Sequence, residues 1–224
     1  ERGDPEGGAC MVIRESDIAG HRLIDSPGQS VIMGTPSVGI KRLIWWDLII
    51  TAFLDSAGKL RDQDRRVDLV FYDIRDIPFE DSGLTARMLD SITALGREHG
   101  FERFETLSDV LSWMAFRGFD IRVCVDSGRI QEAPVERFLR RLRRTSEGSS
   151  GTVQILSKNV PVASMHKKIL LTPVWGLTGS ANMTASGTGT SEEIEAPILA
   201  TDPNYAQLKQ SCEDSLVGAV EWGG

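Results

Sequence analysis

The sequence predicts an α/β domain in which helices cover both faces of a mixed β-sheet. Short apolar or β-branched runs, bounded by turn residues, alternate with longer segments of helical spacing. Such alternation is typical of helices that pack on a largely parallel sheet. The strand-like segments 168–171 and 174–178 are separated only by Thr172 and Pro173, which is a hairpin distance. This antiparallel pair makes the predicted sheet mixed.

Six segments are predicted to be strands and five to be helices. The predicted strands are residues 30–34, 67–72, 121–125, 152–156, 168–171 and 174–178. The predicted helices are residues 41–54, 85–99, 107–116, 135–144 and 205–217. Glycine and proline interrupt residues 1–28, so we expect an irregular N-terminal extension there, followed by a catalytic domain over residues 29–224.

Composition and charge narrow the class of protein. The formal net charge is −7, which argues against a protein that coats nucleic acid non-specifically but leaves room for a local basic cleft. The longest apolar run, residues 43–54, contains Asp47 and is too short to cross a bilayer, so we expect no membrane insertion. The cysteines are few, odd in number and far apart, which predicts a reducing, cytoplasmic setting without disulfides or a zinc site. They are Cys10, Cys124 and Cys212.

The segment that follows residue 164 carries the chemistry. His166 and Lys168 are two residues apart at the start of a predicted strand, so both side chains leave the same face. One hairpin later comes Gly179, followed by Ser180 and Asn182. An imidazole, a cation, a hydroxyl and an amide suit a phosphate, because they combine charge with neutral hydrogen-bond donors. His166 can then attack phosphorus or transfer a proton near neutral pH.

This H-x-K and G-S-x-N pair resembles the signature of the phospholipase D superfamily. The resemblance covers residues 107–217 and includes residues 117–126 (RGFDIRVCVD), similar to an upstream strand of the family. Residues 195–199 (EAPIL) resemble a downstream strand that opens with a glutamate. The family motif carries an aspartate at the position of Pro173, where it mainly supports the loop, and some nuclease members lack it. The resemblance implies a phospholipase D-like fold.

The resemblance also implies roles for single residues. His166 matches the nucleophile, which forms a covalent phosphohistidine. A glutamate is expected to orient its imidazole: the strand match favours Glu195, whereas counting from the motif favours Glu193. The implied substrate ligands are Lys168, Ser180 and Asn182.

The family mechanism uses a second H-x-K histidine to protonate the leaving oxygen. Neither His21 nor His99 has a lysine two residues later, so this chain contains a single H-x-K motif. The resemblance therefore implies a homodimer in which the partner's His166 is the acid, with a two-fold axis through the active site. No metal and no other cofactor are implied.

We therefore expect a metal-independent phosphodiesterase, foremost an endonuclease that cleaves nucleic acid. Two alternatives stay open: a phospholipid or small nucleotide diester as the substrate, or a catalytically silent phosphate-binding module. The resemblance also suggests a role in antiviral defence, in which the chain acts together with a helicase or another partner protein.

A basic stripe is predicted on the helix over residues 135–144. Its arginines recur at helical spacing. A row of charged residues of this kind is more often a solvent-exposed helix face than a binding surface. If nucleic acid is the substrate, Arg140 and Arg144 are candidate phosphate contacts. The full stripe is Arg137, Arg140, Arg141 and Arg144.

Overall fold

The computed structural model describes residues 22–26, 29–33, 65–78, 97, 105–160, 165–173, 175–180, 182–184 and 195–224. Within these ranges the strands are β1 (Arg22–Ser26), β2 (Gln29–Met33), β3 (Arg66–Phe71), β4 (Asp120–Asp126), β5 (Val153–Lys158), β6 (Lys168–Leu171), β7 (Trp175–Gly179), β8 (Glu195–Leu199) and β9 (Val220–Glu221). The helices are α1 (Leu107–Phe116), α2 (Ala133–Thr145) and α3 (Pro203–Leu216).

These strands form one mixed sheet in the order β1-β2-β8-β7-β6-β3-β4-β5-β9. Strands β3, β4 and β5 are parallel neighbours, whereas the other pairings are antiparallel. The carboxyl ends of β3, β4 and β5 therefore share one edge of the sheet with the start of β6, the end of β7 and the start of β8. The predicted mixed sheet is confirmed.

Helices cover both faces of the sheet, as predicted. Alternate residues of β3 enter different cores: Leu69 and Phe71 pack in the core that contains α1 and α2, and Val70 packs in the core under α3. Because both faces are buried, the central strands are apolar without a regular polar alternation. In the second core, Leu208 and Cys212 of α3 lie against the sheet. Helix α1 begins after Thr106, whose N–H donates to Asp109 Oδ2 at 3.0 Å.

An ion-pair network ties α3 to the centre of the sheet. Arg122 of β4 donates to Asp68 Oδ2 of β3 at 2.8 Å and to Glu213 Oε1 of α3 at 2.9 Å. Asp68 is buried, whereas the side chain of Glu213 is 38% exposed. The hydrogen bond from Arg122 lowers the pKa of the Glu213 carboxyl below its ordinary value.

Most predicted elements agree with the structure. The helix over 107–116 is confirmed to the residue, and the other two described helices differ from their predicted bounds by one or two residues. The expected irregular extension is wrong for residues 22–26, which form β1 and pair with β2 through the register Ser26↔Gln29. The segment RLIDS begins and ends with polar residues, so its sequence did not indicate a strand. In the structure it is a short strand that pairs with β2 along its length.

Some predictions lie outside the described residues. These are the helix over 41–54, the helix over 85–99 except for the helical residue Arg97, the extension before residue 22, and the residues His21, His99 and Glu193. Among the described helices, none has the length and apolar character required to cross a bilayer.

Candidate active site

The residues predicted to carry the chemistry come from neighbouring strands at one edge of the sheet. Lys168 opens β6 and pairs with Phe71, the last residue of β3. Gly179 ends β7 and pairs with Glu195, the first residue of β8. Ser180 follows β7 directly and is exposed. This edge also holds the carboxyl ends of the parallel strands, which is where open α/β sheets form ligand sites.

Lys168 places a cation within the edge of the sheet. The residue is 8% exposed, and its Nζ donates to the backbone oxygen of His166 at 2.8 Å. The same Nζ lies 5.7 Å from the ring centroid of Tyr72. Burial of an ammonium group is costly unless it finds acceptors and electron-rich partners, which these contacts provide. The positive charge is thereby held beside the histidine.

His166 is exposed, and its ring stacks on Tyr72. The ring centroids are 4.8 Å apart and the ring planes differ by 14°. The guanidinium carbon of Arg129 lies 4.6 Å from the Tyr72 centroid. The sequence analysis did not identify Tyr72 or Arg129 as residues of the site. Tyr72 could have been identified from its position, because it directly follows β3, the strand that pairs with β6.

Asp126, at the carboxyl end of β4, fixes the backbone next to the histidine. Its Oδ2 accepts from the N–H of Met165 at 2.8 Å, and its Oδ1 accepts from the N–H of Gly128 at 2.8 Å. Asp126 and Met165 are both buried. Because a buried N–H requires an acceptor, this carboxylate sets where the chain runs immediately before His166.

Asn182 is held by the segment that follows β3. Its Oδ1 accepts from the N–H of Asp73 at 3.3 Å. Around it, Arg75 N–H donates to the oxygen of Met183 at 2.8 Å, and Met183 N–H donates to the oxygen of Asp73 at 3.2 Å. The Asp73 carboxylate in turn pairs with Arg75 at 2.7 Å. The amide of Asn182 is therefore oriented by a short stretch of paired backbone.

The glutamate that would orient the imidazole stays a prediction. Glu195 reaches the edge of the site through its backbone, opposite Gly179. The alternative, Glu193, lies outside the described residues.

Within the described part of the chain, no group of three or more His, Cys, Asp or Glu side chains is arranged to hold a metal ion.

An open cavity of about 580 Å³ lies beside α2. The whole predicted stripe lines it, including the candidate contacts Arg140 and Arg144, together with Arg75 and Asp76. Arg75 connects the cavity to the site, because its partner Asp73 contacts Asn182. Burial raises the pKa of the Asp76 carboxyl, although hydrogen bonds from Ser108 oppose this.

The arrangement of strands and helices is similar to solved structures. Nuc from Salmonella typhimurium, a phospholipase D family member, matches with a TM-score of 0.51 and 14% identity, over 79% of this chain and 90% of that one. This is the phospholipase D fold. Phosphatidylserine synthase from Haemophilus influenzae Rd KW20 matches with a TM-score of 0.50 and 13% identity, over 89% of this chain and 41% of that one. No protein-family profile and no curated protein sequence matches the chain.

The phospholipase D fold confirms the architecture that the H-x-K and G-S-x-N segments implied. His166, Lys168, Ser180 and Asn182 all lie at the carboxyl edge of the parallel strands in this fold. The fold therefore brings to one edge of the sheet residues that the sequence separates by a hairpin.

Proposed function

We propose that the chain is a metal-independent phosphodiesterase, and specifically a nuclease, with His166 as its nucleophile. The observation that carries the proposal is the pairing of an exposed imidazole with a buried cation. The imidazole stacks on Tyr72, and Lys168 donates to the backbone oxygen of the histidine itself. A nucleophile that is accessible and oriented beside a fixed positive charge suits attack on an anionic diester.

In the proposed reaction, His166 attacks phosphorus to form a P–N bond, and the P–O bond to the leaving group breaks. The leaving oxygen takes a proton from an acid, and water later hydrolyses the phosphohistidine. Lys168 and Asn182 stabilise the non-bridging oxygens in both steps. Because Asn182 Oδ1 accepts from Asp73, its Nδ2 group is the donor that meets the phosphate. Ser180 adds a hydroxyl at the end of β7.

The acid in this mechanism is the partner's His166, in a homodimer. The exposure of His166 supports this proposal, because a second copy has access to the imidazole. One imidazole is then neutral and attacks while the other is protonated and donates, as acid–base catalysis requires. A carboxylate near the start of β8, Glu195 or Glu193, orients each ring.

Nucleic acid is the proposed substrate because arginines continue along α2 from the site. The second candidate is a phospholipid diester; the fold shared with phosphatidylserine synthase from Haemophilus influenzae favours it as an alternative. Both candidates use the same chemistry at His166. The defence setting and the helicase partner stay predictions.

The test is cleavage of single- and double-stranded DNA, RNA, phospholipid vesicles and bis-p-nitrophenyl phosphate, with and without EDTA. We expect His166→Ala to abolish turnover, and Lys168→Ala and Asn182→Ala each to lower kcat by about 10²-fold or more. Lys167→Ala is the matched control, because Lys167 is exposed and its Nζ donates to Ser211 Oγ of α3 at 2.9 Å.

Activity should persist in EDTA, since the proposed nucleophile is an imidazole rather than metal-bound water. Loss of activity in EDTA with recovery in magnesium would overturn the mechanism. An active His166→Ala protein would leave only a phosphate-binding role.

A further inference from the structure

Arginines dominate the cavity beside α2 although the whole chain is acidic, with a net charge of −7. Five guanidinium groups line it, and Asp76 is the acidic residue among them. The five are Arg75, Arg137, Arg140, Arg141 and Arg144. A cavity with this lining concentrates positive potential on an acidic protein.

Three of these arginines already have carboxylate partners. Arg140 pairs with Glu136 at 2.8 Å, within the same helix. Arg141 pairs with Asp109 of α1 at 2.9 Å, and Arg75 pairs with Asp73 at 2.7 Å. Each of these three guanidinium groups therefore shares its charge with a carboxylate, and the Arg141 pair joins α2 to α1.

Arg137 and Arg144 differ from these three. Both are exposed, and no hydrogen bond or ion pair joins the guanidinium group of either to another residue in the part of the chain that the structure describes. They are seven residues apart on α2, which is two helical turns or about 10 Å along one side of the helix. The cavity thus contains two arginines without a carboxylate partner, separated by two turns of the same helix.

We propose that Arg137 and Arg144 bind two phosphates of a nucleic-acid strand whose scissile phosphate lies at His166. This inference rests on the proposed function and narrows the sequence expectation, which named Arg140 and Arg144. A separation of about 10 Å lies within the reach of two phosphates of one nucleic-acid strand, because the strand carries a phosphate at every nucleotide. Both phosphates then belong to one strand, whereas the phosphates of a phospholipid surface belong to separate molecules.

A chain of contacts connects the site with the cavity that these arginines line. Asn182 contacts Asp73, Asp73 pairs with Arg75, and Arg75 lines the same cavity as Arg137 and Arg144. The cavity beside α2 therefore begins next to the residues that hold Asn182, and its lining also includes Pro134 and Phe138. The two arginines act on binding and not on the chemical step.

The test compares three single variants that each remove one charge from α2: Arg137→Gln, Arg144→Gln and the control Arg140→Gln. Affinity for a fluorescein-labelled single-stranded oligonucleotide is measured by anisotropy between 50 and 200 mM KCl, in the His166→Ala background. We expect Arg137→Gln and Arg144→Gln each to reduce the log–log salt slope by about 0.7–0.9, and Arg140→Gln to leave it unchanged. Equal slopes in all three variants, or an effect confined to Arg140→Gln, would overturn the inference.

Turnover of bis-p-nitrophenyl phosphate, measured with His166 intact, separates the two proposals. This small diester contacts only the reacting site, so all three arginine variants should retain its kcat and KM. If the wild-type chain cleaves nothing while the salt slopes change as expected, nuclease chemistry is wrong and the phosphate contacts stand. If the chain cleaves DNA or RNA while the slopes stay unchanged, the contacts are wrong and the chemistry stands.

Discussion

The phenol ring of Tyr72 stacks on the imidazole of His166, with centroids 4.8 Å apart. Tyr72 directly follows β3 and His166 precedes β6 by one residue, so the stack joins the ends of two adjacent strands. Arg129 lies against the same phenol ring at 4.6 Å. The tyrosine therefore restricts the rotation of a side chain that is otherwise exposed.

Tyr72→Leu should lower kcat for bis-p-nitrophenyl phosphate by about 2- to 12-fold with little change in KM. An aromatic pair contributes about 0.5–1.5 kcal/mol beyond its buried area, and that amount of lost positioning converts to this range. Tyr72→Phe keeps the ring and should retain most of the activity. Steady-state kinetics of the wild type and the two variants measure this difference. An equal loss of kcat in Tyr72→Leu and Tyr72→Phe would contradict a role for stacking.

Asp126→Ala should lower both kcat and the melting temperature. It leaves the buried N–H of Met165 without its acceptor, which costs about 1–3 kcal/mol, and it loosens the chain next to His166. Asp120→Ala is the matched control. Asp120 begins the same strand, β4, and accepts from the N–H of Thr152 at 3.1 Å, at the opposite edge of the sheet. It should change the melting temperature only. Equal kcat values in the two variants would show that Asp126 has no positioning role.

Mixing wild-type and His166→Ala chains tests whether the active site is shared. If both imidazoles act in one site, a mixed dimer is inactive and activity follows the square of the wild-type fraction. An equimolar mixture after subunit exchange should then retain about one quarter of the activity of the same total amount of wild-type chain. Light scattering should give a dimer. Activity that is linear in the wild-type fraction, or a fully active monomer, would exclude a shared site.

Acid should weaken the attachment of α3 to the sheet through Glu213. The pKa of Glu213 is lowered in the folded protein, mainly by the hydrogen bond from Arg122. A lowered carboxyl pKa stabilises the fold above the unfolded value of about 4.3, and this contribution is lost as pH falls through the folded value.

Glu213→Gln should therefore lower the free energy of unfolding at pH 7 by about 1 kcal/mol, because the side chain is partly exposed and solvent screens the pair. The difference from wild type should shrink towards pH 3. Urea unfolding at a series of pH values measures it, with the exposed Glu221→Gln as the control. A difference that grows on acidification would contradict the assignment.

The sequence predicted the local elements better than it predicted the contacts between them. Residues 107–116 have regular helical spacing after a capping threonine, so both ends of α1 were predictable. The run VDLVFY identifies a strand but contains nothing that marks Tyr72 as the partner of a distant histidine. The arginine spacing on α2 predicted a basic side. Arg141 is paired with Asp109 because α2 packs on α1, and this packing cannot be read from the composition.

Strand β6 lies between β3 and β7 and joins the parallel part of the sheet to the antiparallel part. Its contact with β3 links segments far apart in the chain, and such pairings form slowly because a long loop must close first. A chain that has assembled β3, β4 and β5 with α1 and α2 already buries much of the first core, yet it lacks Lys168 and the oriented His166. We therefore expect the chain to become compact before the candidate site is complete, so recovery of activity on refolding should lag behind recovery of helical circular dichroism.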